Sequence, residues 1–498
     1  MKKFFAASVV VLLAALAAAQ TDPILDRISN SLTPNDLKAD ISFLACDALE
    51  GRGTPSPGLE IASEYIAAEF RRAGLDPAGD DGYFETARYE SVTPDLDGIQ
   101  FTLETGGNSI KAHTDSMSLQ QAFPADFSHL AVIKVTLSDA SALAALTAGQ
   151  VRGKVLVLDF PEGGNFRAIM PVMRQLPETA ARLEPALIVL LRSSGGRGSM
   201  NARLREVQPR SSIPVLSLWD DAIRAAFHSE KPELAAATVS VHIPPPAVVP
   251  VKLHNVVGVL RGSDPALRDT YVLLTAHYDH LGVRGTGEGD HIYNGANDDA
   301  SGTASVIEIA RVLAAQPVHP KRSIVFMTFF GEELGLVGSR FYAAHAIFPI
   351  AKTVADINLE QLGRTDVDGG SSVGVVNVTG YDYSTLTAVL KAAGEATGLG
   401  VVKNEKLNER YFAQSDNQAL ADLGVPAHTL SVGYVFPDYH QPGDEWPKLD
   451  YSNLAKVDRT IALAVFRVAD SVDAPQWNKD IPATEKYIKA RQDSVARQ

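Results

Sequence analysis

Between about Val251 and Asp470 the chain repeats one pattern: a short uninterrupted apolar run, then a longer stretch in which apolar positions return at helical spacing. The runs predict strands over Tyr271–Ala276, Ser323–Phe330, Thr353–Leu359 and Ala427–Ser431. The periodic stretches predict helices over Gly302–Ala315, Leu336–His345, Ser384–Thr397 and about Leu454–Val472. Strands without polar alternation are apolar on both faces, so the pattern implies an α/β fold with a mixed, mostly parallel sheet flanked by helices. In such sheets ligands bind beyond the carboxyl ends of the strands.

The rest of the chain reads differently. Thr33-Pro34-Asn35-Asp36 is a helix start, and Ile61, Tyr65, Ile66 and Phe70 continue at helical spacing. Between these helical parts Glu50-Gly51-Arg52-Gly53-Thr54-Pro55 is a turn-rich loop, either a connector or a lip of an active site. From about 112 the texture becomes short strands, Val155–Leu158, Ala186–Leu191 and Pro214–Leu218, with polar loops, up to the proline run Ile243-Pro244-Pro245-Pro246. Proline cannot continue a regular element, so the run closes an inserted α/β domain. The expected division is 1–19 signal peptide, 20–111 and 247–475 a main domain interrupted by 112–246, and 476–498 a tail.

Composition adds three constraints. Lys2 and Lys3 precede an apolar run from Phe4 to Leu16 and then Ala17-Ala18-Ala19, which reads as a secretory signal cut after Ala19. No later run is long enough for a spanning helix, so an exported protein, periplasmic or secreted, with no stable membrane anchor is expected. The net charge is −14, and loss of the two signal lysines makes it more negative still, which disfavours nucleic acid as a partner. Cys46 is the only cysteine, so no disulfide within the chain supports the fold.

Ligand-type residues collect where the strands end. His277 closes one strand, with Asp279 two residues on to accept the proton of its other ring nitrogen. His280 reads as a local hydrogen-bonding group. Asp298 lies in the polar turn Asn294–Gly302, where Asp299 or Ser301 suffices as a helix cap while Asp298 could bridge two cations. Glu332 and Glu333 follow the next strand; one can bind metal while its neighbour serves as general base. Glu360 ends the strand after that, with Asp356 as the alternative on the same face. His440 follows the last strand, beside Tyr439, which could donate to a developing oxyanion.

These segments, Ala-His-Tyr-Asp-His at 276–280, Gly-Ala-Asn-Asp-Asp-Ala-Ser-Gly at 295–302, Phe-Gly-Glu-Glu-Leu-Gly at 330–335, Ile-Asn-Leu-Glu at 357–360 and Tyr-His-Gln-Pro-Gly-Asp at 439–444, resemble the co-catalytic zinc aminopeptidase family. That family also contains glutamate carboxypeptidase and, more distantly, glutaminyl cyclase. The insert, with Gly153-Lys154 and Ile213–Ser217, resembles a protease-associated domain. The resemblance implies two zinc ions: one on His277 and Glu360, one on Glu333 and His440, with Asp298 bridging. It further implies Glu332 as general base, Asp279 behind the first histidine, and a cis bond between Asp298 and Asp299. The family most often has Asp where this chain has Glu360.

The function so implied is hydrolysis of a peptide or small amide, as an aminopeptidase first and a carboxypeptidase or dipeptidase second. Glutaminyl cyclase-like chemistry on a single zinc is disfavoured by the intact bridging Asp298 and the paired glutamates. A non-catalytic binding module is disfavoured by competent side chains at every ligand position. The segment Glu409–Asn417 is expected to approach the site, whereas side-chain preference and oligomeric state are not encoded legibly.

Overall fold

The computed structural model describes residues 23–137, 141–160, 175–194, 203–207, 212–228, 237–367, 370–406 and 408–496. The expected signal peptide, 1–19, lies outside them. The chain forms two compact units, Met1–Ala87 with His254–Gln498, and Arg88–Leu253.

The first unit is built on a mixed sheet whose central strands are parallel. Its central strands are β1 (Tyr271–His277), β2 (Ser323–Phe329), β3 (Thr353–Leu359) and β5 (Ala427–Ser431), with β4 (Val375–Val378) beyond β5. β1 runs parallel to both β2 and β3, and β3 parallel to β5, whereas β4 is antiparallel to β5. Register puts His277 opposite Phe329, Thr275 opposite Asn358 and Leu359 opposite Leu430. The four carboxyl ends therefore finish side by side at one edge. Every residue of β1, β2, β3 and β5 is buried, as the unbroken apolar runs require.

The helix Ser301–Ala314 explains its own composition: Arg311 and Ala314 are its least buried members, because it packs against the sheet and against the helices Pro34–Leu44 and Tyr451–Asp470. A core of Val257, Leu273, Val325, Met327, Phe412 and Trp477 fills the unit. Trp477 and Tyr487, from the C-terminal segment, are part of this core. Trp477 stacks on Tyr487 at 4.9 Å, and both meet Phe412, because burying three rings outweighs leaving an apolar tail in water.

The second unit is an eight-stranded sheet in the order Asn108–Lys111, Gln100–Thr105, Thr238–Ile243, Ala125–Thr136, Val155–Asp159, Leu187–Leu191, Val215–Leu218 and Met117–Gln121. Alternate residues feed two cores, Val155, Val157 and Val189 on one face, Leu156, Leu158 and Leu190 on the other.

Among the described residues no helix is long and apolar enough to cross a membrane.

Candidate metal centre

His277 ends β1 only 1% exposed, with its carbonyl accepting from Thr303 Oγ1 at 2.7 Å. Its Nε2 lies 3.4 Å from Asp298 Oδ1. On the other side, Nδ1 is 3.2 Å from the carbonyl oxygen of Asp279 and 3.5 Å from its carboxylate. The Asp279 carboxylate accepts from the Glu332 N–H at 3.0 Å and from Thr54 Oγ1 at 3.2 Å.

The Asp298 turn depends on Gly295, at φ +58°, where a Cβ would sit 2.3 Å from the Asp298 carbonyl and 2.4 Å from the His280 ring. Asp444 accepts from the N–H groups of Asn297 and Asp298 at 3.0 Å. The Asp298–Asp299 peptide is cis. Asp299 Oδ1 takes the capping role, accepting from Gly302 N–H at 2.9 Å, and also holds the Gln361 N–H at 3.1 Å. Asp298 is thereby left to face the strand ends.

Two donor clusters share Asp298. His277, Asp298 and Glu360 form one; His280, Asp298 and Glu333 the other, each with its ligand atoms within 4.8 Å of one another. His440 joins the second, its Nε2 3.1 Å from Asp298 Oδ2 and 3.4 Å from Glu333 Oε1. Donor separations of about 3.3 Å are those of neighbouring ligands around a tetrahedral zinc with bonds near 2.0 Å. His277 Nε2, both ring nitrogens of His280 and Glu333 Oε1 are buried with no partner in hydrogen-bond geometry among the described residues, although His280 Nδ1 and Glu333 Oε1 lie 2.8 Å apart. Such atoms are costly unless a cation collects them, so the residues fit a metal pair.

Sequence reasoning passed over His280. The structure buries its ring, with Nδ1 2.8 Å from Glu333 Oε1 and the ring centroid 5.7 Å from that of His440. Its signal was its place on the same turn as His277. The opposite correction applies to Asp356, which accepts from Thr275 Oγ1 at 2.9 Å and is pushed by burial up to about 8. It is a core carboxyl group held by the neighbouring strand and belongs to neither cluster.

Electrostatics separates the acids. Burial, reinforced by Glu360, Asp416 and Glu333 against the pull of His277, drives Glu332 well above the ordinary carboxylate range. Burial and then Asp298 push Glu360 up to about 7. Burial and Asp298 also act upward on Glu333, but His280 and His440 hold it down at about 2. Burial lifts the Tyr439 hydroxyl, helped by Asp298 and Glu360, so it keeps its proton. Its ring stacks on His440 at 4.0 Å. In the segment 409–417, Tyr411 stacks on Tyr434 at 4.7 Å, and Ser415 and Asp416 both act on the titration of Glu360.

Residues 255–465 match the family model described as peptidase family M28. The segment is a peptidase family M28 domain. Enzymes of family M28 use a co-catalytic zinc pair, in accord with the two clusters. The chain is 26% identical over 248 residues to "Aminopeptidase YwaD" of Bacillus subtilis, covering 49% of each chain. It is 38% identical over 273 residues to a "Probable zinc metalloprotease" of Pyrenophora teres f. teres, covering 47% of this chain and 55% of the relative. It thus spans about half the length of these curated relatives. The solved structure of an aminopeptidase from Aneurinibacillus sp. strain AM-1 shares the fold, with a TM-score of 0.55 at 19% identity, over 91% of this chain and 100% of the other.

Proposed function

We propose that the chain is an exported zinc aminopeptidase in which His277, Asp298 and Glu360 hold one ion, and Asp298, Glu333 and His440 the other, with His280 beside the second. The observation that carries this is the pair of clusters sharing Asp298, with Glu332 next to Glu333 yet outside both. When bound, the zinc pair supplies Lewis acidity to the scissile carbonyl and to the attacking water. Glu332, whose affinity for protons is raised by its surroundings, takes the proton from that water and returns it to the departing amine. Tyr439 keeps its hydroxyl proton and donates to the developing oxyanion. Asp279 orients both His277 and the main chain of Glu332.

Preference for a free amino terminus is supported by the Bacillus subtilis relative, which is called an aminopeptidase. Export is supported by Lys2, Lys3 and the apolar run that follows them. The insert is read as a protease-associated domain.

The test is hydrolysis of aminoacyl-p-nitroanilides beside their N-acetylated forms, before and after chelation and after zinc is restored. Zinc-dependent release from free-amine substrates alone is expected. Protein that binds two zinc ions and releases nothing from any of them refutes aminopeptidase action and redirects the reading to carboxypeptidase, dipeptidase or cyclase chemistry.

A further inference from the structure

The loop Glu50–Pro55 is more than a connector. Arg52 is 1% exposed and has φ +49°, and it is among the largest fully buried side chains described. Its guanidinium donates to main-chain carbonyls of three separate segments: Nε to Tyr278 at 2.7 Å, Nη1 to Asn294 at 2.7 Å and to Leu44, and Nη2 to Gly295 at 3.0 Å. Tyr278 follows His277 directly. Asn294 and Gly295 lead into Asp298. The main chain continues the latch, since the Arg52 carbonyl accepts from His280 N–H at 3.3 Å, Gly53 pairs with His280, and a Cβ on Gly51 would stand 2.3 Å from the Tyr293 carbonyl.

A guanidinium presents its donors in one rigid plane, so satisfying carbonyls on different turns fixes those turns relative to one another. Lysine, with a single nitrogen, cannot span all of these acceptors. Burial lowers Arg52 to about 10 against the upward pull of Asp279, Asp444, Asp299 and Asp298, so it is charged at neutral pH and lies under the most acidic part of the unit.

We infer that Arg52 is a positioning residue of the metal centre: it locks the His277–His280 turn to the turn that carries Asp298, and the affinity for zinc depends on that lock. The inference rests on the two-cluster reading of the site. Removing groups that orient metal ligands typically weakens metal binding about 10- to 100-fold.

The experiment is competitive zinc titration of the chelator-stripped full chain against a chromophoric chelator, with thermal unfolding and kcat and KM on an aminoacyl-p-nitroanilide. Arg52→Lys is expected to weaken zinc about 10-fold or more and to lower kcat with little change in KM, at a temperature where circular dichroism shows it folded. Arg322→Lys is the control, because Arg322 is also buried, at 4% exposed, and donates to Val472 at the opposite end of β2. It is expected to lower the unfolding temperature and leave zinc affinity within about twofold of the original, as a change away from the ligand supports does. Gly53→Ala, whose Cβ would come 3.1 Å from Gly282 Cα, displaces the latch slightly and is expected to weaken zinc in the same direction. Unchanged zinc affinity in Arg52→Lys, or equal weakening in Arg322→Lys, overturns the inference. If Arg52→Lys does not fold, unchanged affinity in Gly53→Ala overturns it. Failure of the original chain to bind zinc at all would instead remove the two-cluster reading on which it stands.

Discussion

Asn297 is a sensitive point of the site although it touches no ion cluster directly. It is fully buried, and its Oδ1 accepts from Gly363 N–H at 2.7 Å and Arg364 N–H at 2.9 Å, tying the Asp298 turn to the turn after Glu360. Asn297→Ala leaves two buried main-chain donors without an acceptor. Each such loss costs about 1–3 kcal/mol, so the substitution is expected to destabilise the first unit by about 2–6 kcal/mol. The side chain is neutral, so no change of charge obscures the reading. Urea unfolding of the zinc-free chain measures it, in a Trp219→Phe background so that Trp446 and Trp477, both in the same unit as Asn297, report the transition. Zinc titration should show weaker binding as well, because Asp298 and Glu360 lie on the two turns that separate. A loss below about 1 kcal/mol at unchanged urea dependence would mean that water or a shifted main chain satisfies both donors, and the bracing role would be refuted.

Two other outcomes follow from the same structure. Glu332→Gln is expected to lower kcat by about 10²–10⁴ while metal analysis still finds two zinc ions per chain; activity within tenfold of the original would remove Glu332 as the base. Asp40 is 4% exposed, accepts from Tyr65 at 2.7 Å, and is pushed by burial from 3.8 up to about 7. A raised carboxyl pKa stabilises the fold below its unfolded value and loses that stabilisation as pH rises through about 7, so Asp40→Asn should be more stable than the original at pH 8, by at most about 4 kcal/mol, with the gap closing toward pH 4. Identical pH dependence of the two urea midpoints would refute it.

Much of the sheet was legible because its strands are buried on both faces: Thr353–Leu359 and Ala427–Ser431 stand where the apolar runs place them. Ends set by polar contacts were less so. The last helix begins at Tyr451, since the Asp450 side chain accepts from Asn453 N–H ahead of the apolar stripe. The compact second unit begins at Arg88 because Gln100–Thr105 pairs with Thr238–Ile243, a partnership across the insert that local pattern does not encode. Glu360 was legible as an acid at a strand end. His280 and Arg52 were not, because the role of each depends on which turns the fold brings beside it.

That dependence has one physical form throughout the centre. Each ligand-bearing turn is braced by a polar side chain from a different turn: Asp279 accepts from the main chain of Glu332, Asp444 from that of Asp298, Asp299 from that of Gln361, and Ser301 Oγ from that of Leu362. These acceptors are buried, and buried main-chain donors need partners whatever else the turns do. The turns at the strand ends therefore hold one another as a ring, so the geometry offered to a cation does not rest on the cation alone. A site braced in this way loses affinity gradually as single braces are removed, and its ligands keep their approximate positions when the metal leaves. The donor atoms these turns hold lie about 3.3 Å apart, the spacing of neighbouring ligands around zinc.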